Sequence, residues 1–161
     1  MDEFDLYRMY KTLHLLAVVL LAGGITIETV VGPLMVRATT VQELRAFTRL
    51  SKIAENFCIL PGLLLAIGFG YAMTGNDFGP DLDTTWVLLG QILAFVALAV
   101  SIGYLRSASL RIDGRARQTP DGPVPDELRR ELKNPGPPTV GAVLTFIFVF
   151  LIYLMVVKPA W

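Results

Sequence analysis

Four apolar runs, at roughly 12–36, 53–74, 85–105 and 139–157, alternate with charged or Pro/Gly-rich segments along this chain of 161 residues. Each run meets the ~20 residues that a helix rising about 1.5 Å per residue needs to cross a ~30 Å hydrocarbon core. Their apolar positions surround the helix instead of lining one face, which suits lipid and not water. The pattern predicts an all-α fold: a four-transmembrane-helix bundle forming a single integral membrane domain over 1–161. Between the first two runs the period changes. Val41, Leu44, Phe47 and Leu50 recur at helical spacing opposite Arg45, Arg49 and Lys52, and Thr40 followed by Glu43 makes a capping box. That spacing predicts an interfacial amphipathic helix over 39–55, apolar face on lipid and basic face toward water and anionic headgroups.

Proline and glycine punctuate the rest. Gly32-Pro33 should kink or end the first span, whereas Pro61 sits in the first turns of the second, where a missing N–H matters less. The basic segment 106–138 reads as a loop, with about two helical turns at 126–133. Cys58, Gly62, Ala66 and Gly70 form a small-residue stripe on span two. Gly90, Ala94, Ala97 and Ser101 do so on span three, and Gly23 and Gly24 mark the middle of span one. Such stripes let helices approach closely where no hydrophobic force acts between them. The aromatic run Phe146, Phe148 and Phe150 makes span four bulky, facing lipid, a partner or a cofactor rim.

Composition agrees: 53% of residues are hydrophobic and mean hydropathy is +0.56. The net charge of zero hides a segregation, since 37–52 and 106–133 carry eleven of the fourteen basic residues. Positive loops stay in the cytoplasm, so both termini are expected outside and the protein in a cytoplasmic (inner) membrane, multi-pass. Tyr7, Tyr10, Tyr71, Trp86, Tyr153 and Trp161 would form the outer aromatic belt. The N-terminus is acidic and the first run too long for a cleavable signal, so it is read as a retained span. The one cysteine, Cys58, excludes an internal disulfide and reads as a buried, inert thiol. No aromatic or base-reading pattern accompanies the basic loops, so no nucleic-acid partner is expected. P-loop, dinucleotide and His-rich metal motifs are lacking.

Ionisable groups inside a membrane default to functional candidates. His14 and Glu28 share span one, fourteen residues or about 21 Å apart and about 40° apart around the axis, so both can face the interior. His14 can ligate haem or a metal, relay protons, or simply bond to water or to Gln91. As the only histidine it cannot supply a bis-His site inside one protomer, but a His/Met pair can form with Met73 on span two or Met155 on span four, and Met9 can also approach. Glu28 is expected to pair with Arg37, Lys52 or Asn56, or to serve in proton relay or quinone contact. Gln91 is expected to bond across helices.

Residues Lys11 to Val19 with Ala22-Gly23-Gly24, and Pro61-Gly62-Leu63-Leu64-Leu65 with Phe69-Gly70, resemble the first two spans of HemJ-type protoporphyrinogen oxidases and CopD-like membrane proteins. The whole pattern is similar to a bacterial family of small four-span integral membrane proteins of unknown function. There an Arg-rich segment precedes the Pro-Gly helix, and the chain closes like Leu154-Met155-Val156-Val157-Lys158-Pro159. The HemJ resemblance implies haem b on His14. The chain reads Leu34-Met35-Val36-Arg37-Ala38 where HemJ-type proteins place a further histidine, so the implication is haem binding and not protoporphyrinogen oxidation. Three functions follow as expectations: a haem b protein with a redox or tetrapyrrole-related role, a non-catalytic accessory subunit of a larger membrane complex or homo-oligomer, and a small proton or metal conduit.

Overall fold

The computed structural model describes residues 3–74 and 79–158, and these are helical with no strand beyond one isolated bridge. Trp161 and part of the acidic 75–84 loop lie outside the described residues. Four helices are long and apolar enough to span a membrane: Glu3–Arg37, Val41–Ala72, Thr85–Gln118 and Asp126–Val157. The first is α1, Glu3–Arg37. The second joins α2 (Val41–Ala54) to α3 (Leu60–Ala72) through a π-turn at Glu55–Ile59. The third joins α4 (Thr85–Val100) to α5 (Arg106–Gln118) through a π-turn at Ser101–Leu105. The fourth contains α6 (Asp126–Leu132) and α7 (Gly136–Val157).

One proline reading is corrected here and the other is met, since Pro61 lies in the first turn of α3. Pro33 does not end α1, which runs four residues further to Arg37. A proline so near the terminus removes one intrahelical bond, and little helix remains beyond it to be displaced. Pro61 has the larger effect. Its ring would collide with the carbonyl four residues earlier in a regular α-helix. Just upstream the helix widens instead, and Leu60 N–H bonds the Glu55 carbonyl five residues back. The second π-turn closes the same way, Arg106 N–H on the Ser101 carbonyl.

Substantial packing within the membrane runs α1 on α3, α3 on α4 and α4 on α7, so α1 and α7 stand at opposite ends of the bundle. The tightest seam lies between α1 and α3. The same face of α1, which meets α3, the π-turn and α2 in turn, carries His14, Ala17, Leu21, Gly24, Glu28 and Val31, a 3-4-3-4-3 spacing that keeps one side on the partner helix. Gly62 of α3 meets the Leu21 backbone so closely that a Cβ there would lie 2.8 Å from the Leu21 nitrogen. Gly24 receives Cys58 and Ile59 in the same manner. The small-residue stripe on span two is thus a helix-packing surface, and Cys58 is half-buried in it.

The basic end differs most from expectation. Residues 41–54 form the expected helix, and it runs on into span two as one long helix. The capping box at Thr40 and Glu43 is present. Its three donors, the Thr39 amide first and then the Thr39 hydroxyl and Thr40 amide, hold the Glu43 carboxyl below its ordinary range. Val41 and Leu44 are fully buried, and by protein. Leu44 packs with Ala38, Ala116, Val124, Leu128 and Leu132 in a core built from α2, α5, α6 and their connections. The physical reason is that span three continues as α5, thirteen residues past Leu105, and gives the apolar face of α2 a helix to cover it. The 106–138 segment is accordingly mostly helix, and its α6 matches the two turns expected at 126–133. Val41 N–H donates to Gly122 O at 2.9 Å and Val124 N–H to Thr39 O at 3.1 Å, tying the two connections together. Arg45, a third exposed, reaches across to the end of α5: Nε donates to the Ala116 carbonyl at 2.8 Å, Nη1 to Asp121 at 2.7 Å and Nη2 to the Thr119 carbonyl. A guanidinium fork there satisfies carbonyls that the end of α5 leaves open.

Candidate functional site

The face of α1 that packs on α2 and α3 carries a polar group toward each end. His14 is 7% exposed, and its Nδ1 lies 2.8 Å from the Ala66 carbonyl oxygen. A carbonyl only accepts, so Nδ1 carries the proton and donates, leaving Nε2 of the neutral ring with the lone pair. Gly70 makes room for the ring: a Cβ there would sit 3.3 Å from Cε1 and Nδ1. Tyr10 stacks on Phe69 beside it, with ring centroids 6.3 Å apart. The expected bond to Gln91 is not formed. Gln91 Nε2 is buried on α4 with no partner among the described residues, contrary to the expected cross-helix bond. An orphaned amide costs about 1–3 kcal/mol. Gln91→Met, of similar volume, is therefore expected to raise the unfolding midpoint in detergent, and an unchanged or lower midpoint counts against an orphaned amide.

At the basic end Ser51, 4% exposed, donates its Oγ hydrogen to Glu28 Oε1 at 2.7 Å. Glu28 does not pair with Arg37, Lys52 or Asn56 as expected, because those nearest are engaged elsewhere. Lys52 Nζ bonds Asp113 Oδ2. Asn56 Oδ1 accepts from Arg106 Nη1 at 2.9 Å, and the same Nη1 is 3.3 Å from Glu55 Oε1. Ser51 and Glu55 are four residues apart on one helix, so they present to the same side. Asp113, 4% exposed, anchors α5 on α2: it takes Lys52, Arg117 Nε at 2.9 Å and the Thr48 hydroxyl at 3.2 Å. Burial alone would raise its carboxyl, but the Lys52 and Arg117 bonds outweigh that and hold it below the usual range.

Residues 8–159 match the family model described as predicted integral membrane protein (DUF2269). The chain belongs to the DUF2269 family. No curated protein and no solved structure matches it. A HemJ- or CopD-type assignment is not among these matches.

For this DUF2269 chain, haem b can be tested only against the donor set. His14 fits one axial ligand, since ligating histidines commonly donate the other ring N–H to a carbonyl, as Nδ1 does here. Met73 caps α3, three residues beyond Gly70, and Met155 lies on α7, which packs on α4. Two surface clefts, one including Tyr7, Arg8 and Lys11 and the other Arg115, Gln118 and Glu127, are lined by neither His14 nor Glu28. The described residues of the DUF2269 chain hold no cluster of three or more His, Cys, Asp or Glu side chains suited to a metal ion.

The polar groups that sequence reasoning missed are Ser51, Thr48 and Asp113, together with the joint engagement of Glu55 and Arg106. Ser51 had a usable signal: it lies four residues before Glu55 on a helix returning past Glu28. Asp113 had none, because its importance depends on α5 continuing span three.

Proposed function

We propose that this four-span protein binds one haem b through His14 and serves in electron transfer or tetrapyrrole handling at the acidic end of the bundle. The observation that carries the reading is the Nδ1–H bond to the Ala66 carbonyl, which fixes the ring's tautomer and keeps Nε2 available. When bound, a haem would supply one-electron redox chemistry; His14 would supply its ligand, and the α1–α3 seam would hold the ring in orientation. Met73 is the nearer candidate for a second ligand by its place on α3. The segregation of basic residues supports an orientation with α2, α5 and α6 in the cytoplasm of a bacterial cell, which puts both termini and His14 toward the outside of the inner membrane.

The test is an absorbance spectrum of protein purified gently from haem-replete cells. A Soret band at near-stoichiometric intensity, lost in His14→Ala while the helical circular dichroism is retained, is the expected result. Protein without a Soret band, or a band indifferent to His14, contradicts the reading.

A second reading, a non-catalytic accessory subunit, is favoured by the sparse cover on two spans: Val87 alone is buried along α4, and Leu151 and Leu154 alone along α7. Lipid, a partner subunit or a second copy must cover these faces. Stoichiometric co-purification of another membrane protein in mild detergent supports this reading, and a stable haem-loaded monomer removes its motive.

A further inference from the structure

We propose that the interruptions of spans two, three and four form one transverse joint, on which the basic-end core of α2, α5 and α6 turns against α3, α4 and α7, with Arg106 as the latch. The proposal does not rest on haem or on the ligand role of His14.

A helix is stiff where its hydrogen-bond ladder is regular and gives way where a turn widens or the ladder stops. Three of the four spans are interrupted. Span two widens at Glu55–Ile59, span three widens at Ser101–Leu105, and span four breaks between Leu132 and Gly136. These interruptions touch one another. Arg106 Nη1 donates to Asn56 Oδ1 at 2.9 Å and lies 3.3 Å from Glu55 Oε1, both residues of the first π-turn. Tyr104, within the second π-turn, brings its hydroxyl so close to Gly136 that a Cβ at that glycine would collide with it. The start of α7 is thus held directly against the widened turn of span three.

Arg106 acts on both π-turns. Its backbone N–H closes the second on the Ser101 carbonyl. Its side chain reaches Glu55, whose own carbonyl closes the first by accepting from Leu60 N–H. Releasing that side chain therefore frees two turns in two different spans. No proline follows the second π-turn, since Thr85–Gln118 contains none, so no ring locks its widened form. Passing from a five-residue bond to a four-residue one there shifts the register of α5 on α4 by one residue, about 100° around the helix.

The parts on either side are built to stay whole. On the basic side Leu44 packs with Ala116, Leu128 and Leu132, and Asp113 takes both Lys52 and the Thr48 hydroxyl. On the other side α3 packs on α4 and α4 on α7. Only α1 passes the joint as unbroken helix, meeting the first π-turn at Gly24, where Cys58 and Ile59 occupy the space a Cβ would take. It is bonded to α3 through His14 on one side of that point and to α2 through Glu28 and Ser51 on the other. Held on both sides, α1 is the axle, and the motion is a twist about it instead of a separation.

The experiment is hydrogen–deuterium exchange of the full chain in lipid nanodiscs, comparing wild type with Arg106→Ala and Asn56→Ala. Asn56 is exposed, so Asn56→Ala removes one bond to the guanidinium from a position that should still fold if Arg106→Ala does not. Each variant should exchange about tenfold faster at 55–60, 101–106 and 133–139, the change expected when a hydrogen bond to a charged group is lost. Protection within 44–52 and 108–117 should stay as in wild type, because the core turns whole. A rise confined to the mutated span shows independent turns and overturns the joint. Loss of protection in the core shows local unfolding and overturns it too, and unchanged exchange everywhere removes Arg106 as latch. A spin-label measurement reads the motion itself. In a Cys58→Ser background, nitroxides on Gly68→Cys and Gly114→Cys, where nothing lies within 4 Å of a Cβ, give a distance across the joint. Gly68→Cys with Gly141→Cys gives one on a single side of it. Arg106→Ala should broaden the first distance and leave the second narrow, and two distances equally unchanged contradict the proposal.

Discussion

Gly62→Ala lowers stability by about 3 kcal/mol, toward the upper end of overpacking penalties, although it adds a single methyl group. The added Cβ would lie 2.8 Å from the Leu21 nitrogen and 3.0 Å from its Cα, and backbone cannot rotate aside as a side chain can. The helices must separate, which also lengthens the His14 bond to Ala66 one turn away. Gly68→Ala on the same helix is the control. Nothing lies within 4 Å of its Cβ, so it should be neutral or gain up to ~1 kcal/mol from helix propensity. Thermal unfolding in one detergent measures both. Equal responses at the two positions would remove Gly62 from the seam.

Asp113→Ala should cost about 3 kcal/mol, because it leaves Lys52 without its buried partner and frees Arg117 and the Thr48 hydroxyl. The pH dependence has a definite sign. The folded carboxyl is held below its ordinary value, so folding favours the ionised form. That stabilisation is complete above the unfolded value of about 3.9 and is lost as pH falls through the lower folded value. The difference between wild type and Asp113→Asn, followed by thermal unfolding, should be constant near neutrality and shrink below pH ~4. A difference that instead grew on acidification would reverse the assignment of Asp113 as a paired carboxylate.

The membrane half of the fold was legible because lipid imposes a length and composition that no other solvent demands, and because Gly62, Ala66 and Gly70 fall on one face. The shared face of His14 and Glu28 was also legible, since it needs only the helical period. The packing at the basic end was not. The spacing of Val41 and Leu44 announces a buried face without saying whether lipid or protein buries it. The answer lay in 106–118, whose arginines read as a solvated loop until α5 is seen to continue span three. The partner of Glu28 was missed for a related reason: charge suggested Lys52, but Asp113 on α5 holds that lysine and leaves Ser51 to face the glutamate. The π-turns are local responses to backbone geometry, and Pro61 signals the first of them only in retrospect.

The antiparallel packing of α1 on the helix running from α2 through the π-turn to α3, with His14 and Glu28 toward its two ends, underlies every functional reading above, and the chain's single cysteine allows a direct test. A Cβ at Gly24 would lie 2.9 Å from that of Cys58, whereas Gly23 has nothing within 4 Å. Disulfides span about 3.5–4.5 Å between Cβ atoms, so a slight parting of the helices suffices. On mild oxidation in membranes, Gly24→Cys should form an intramolecular bond to Cys58 in high yield, and Gly23→Cys should not. Equal cross-linking at both positions, or none at Gly24→Cys, would contradict the seam.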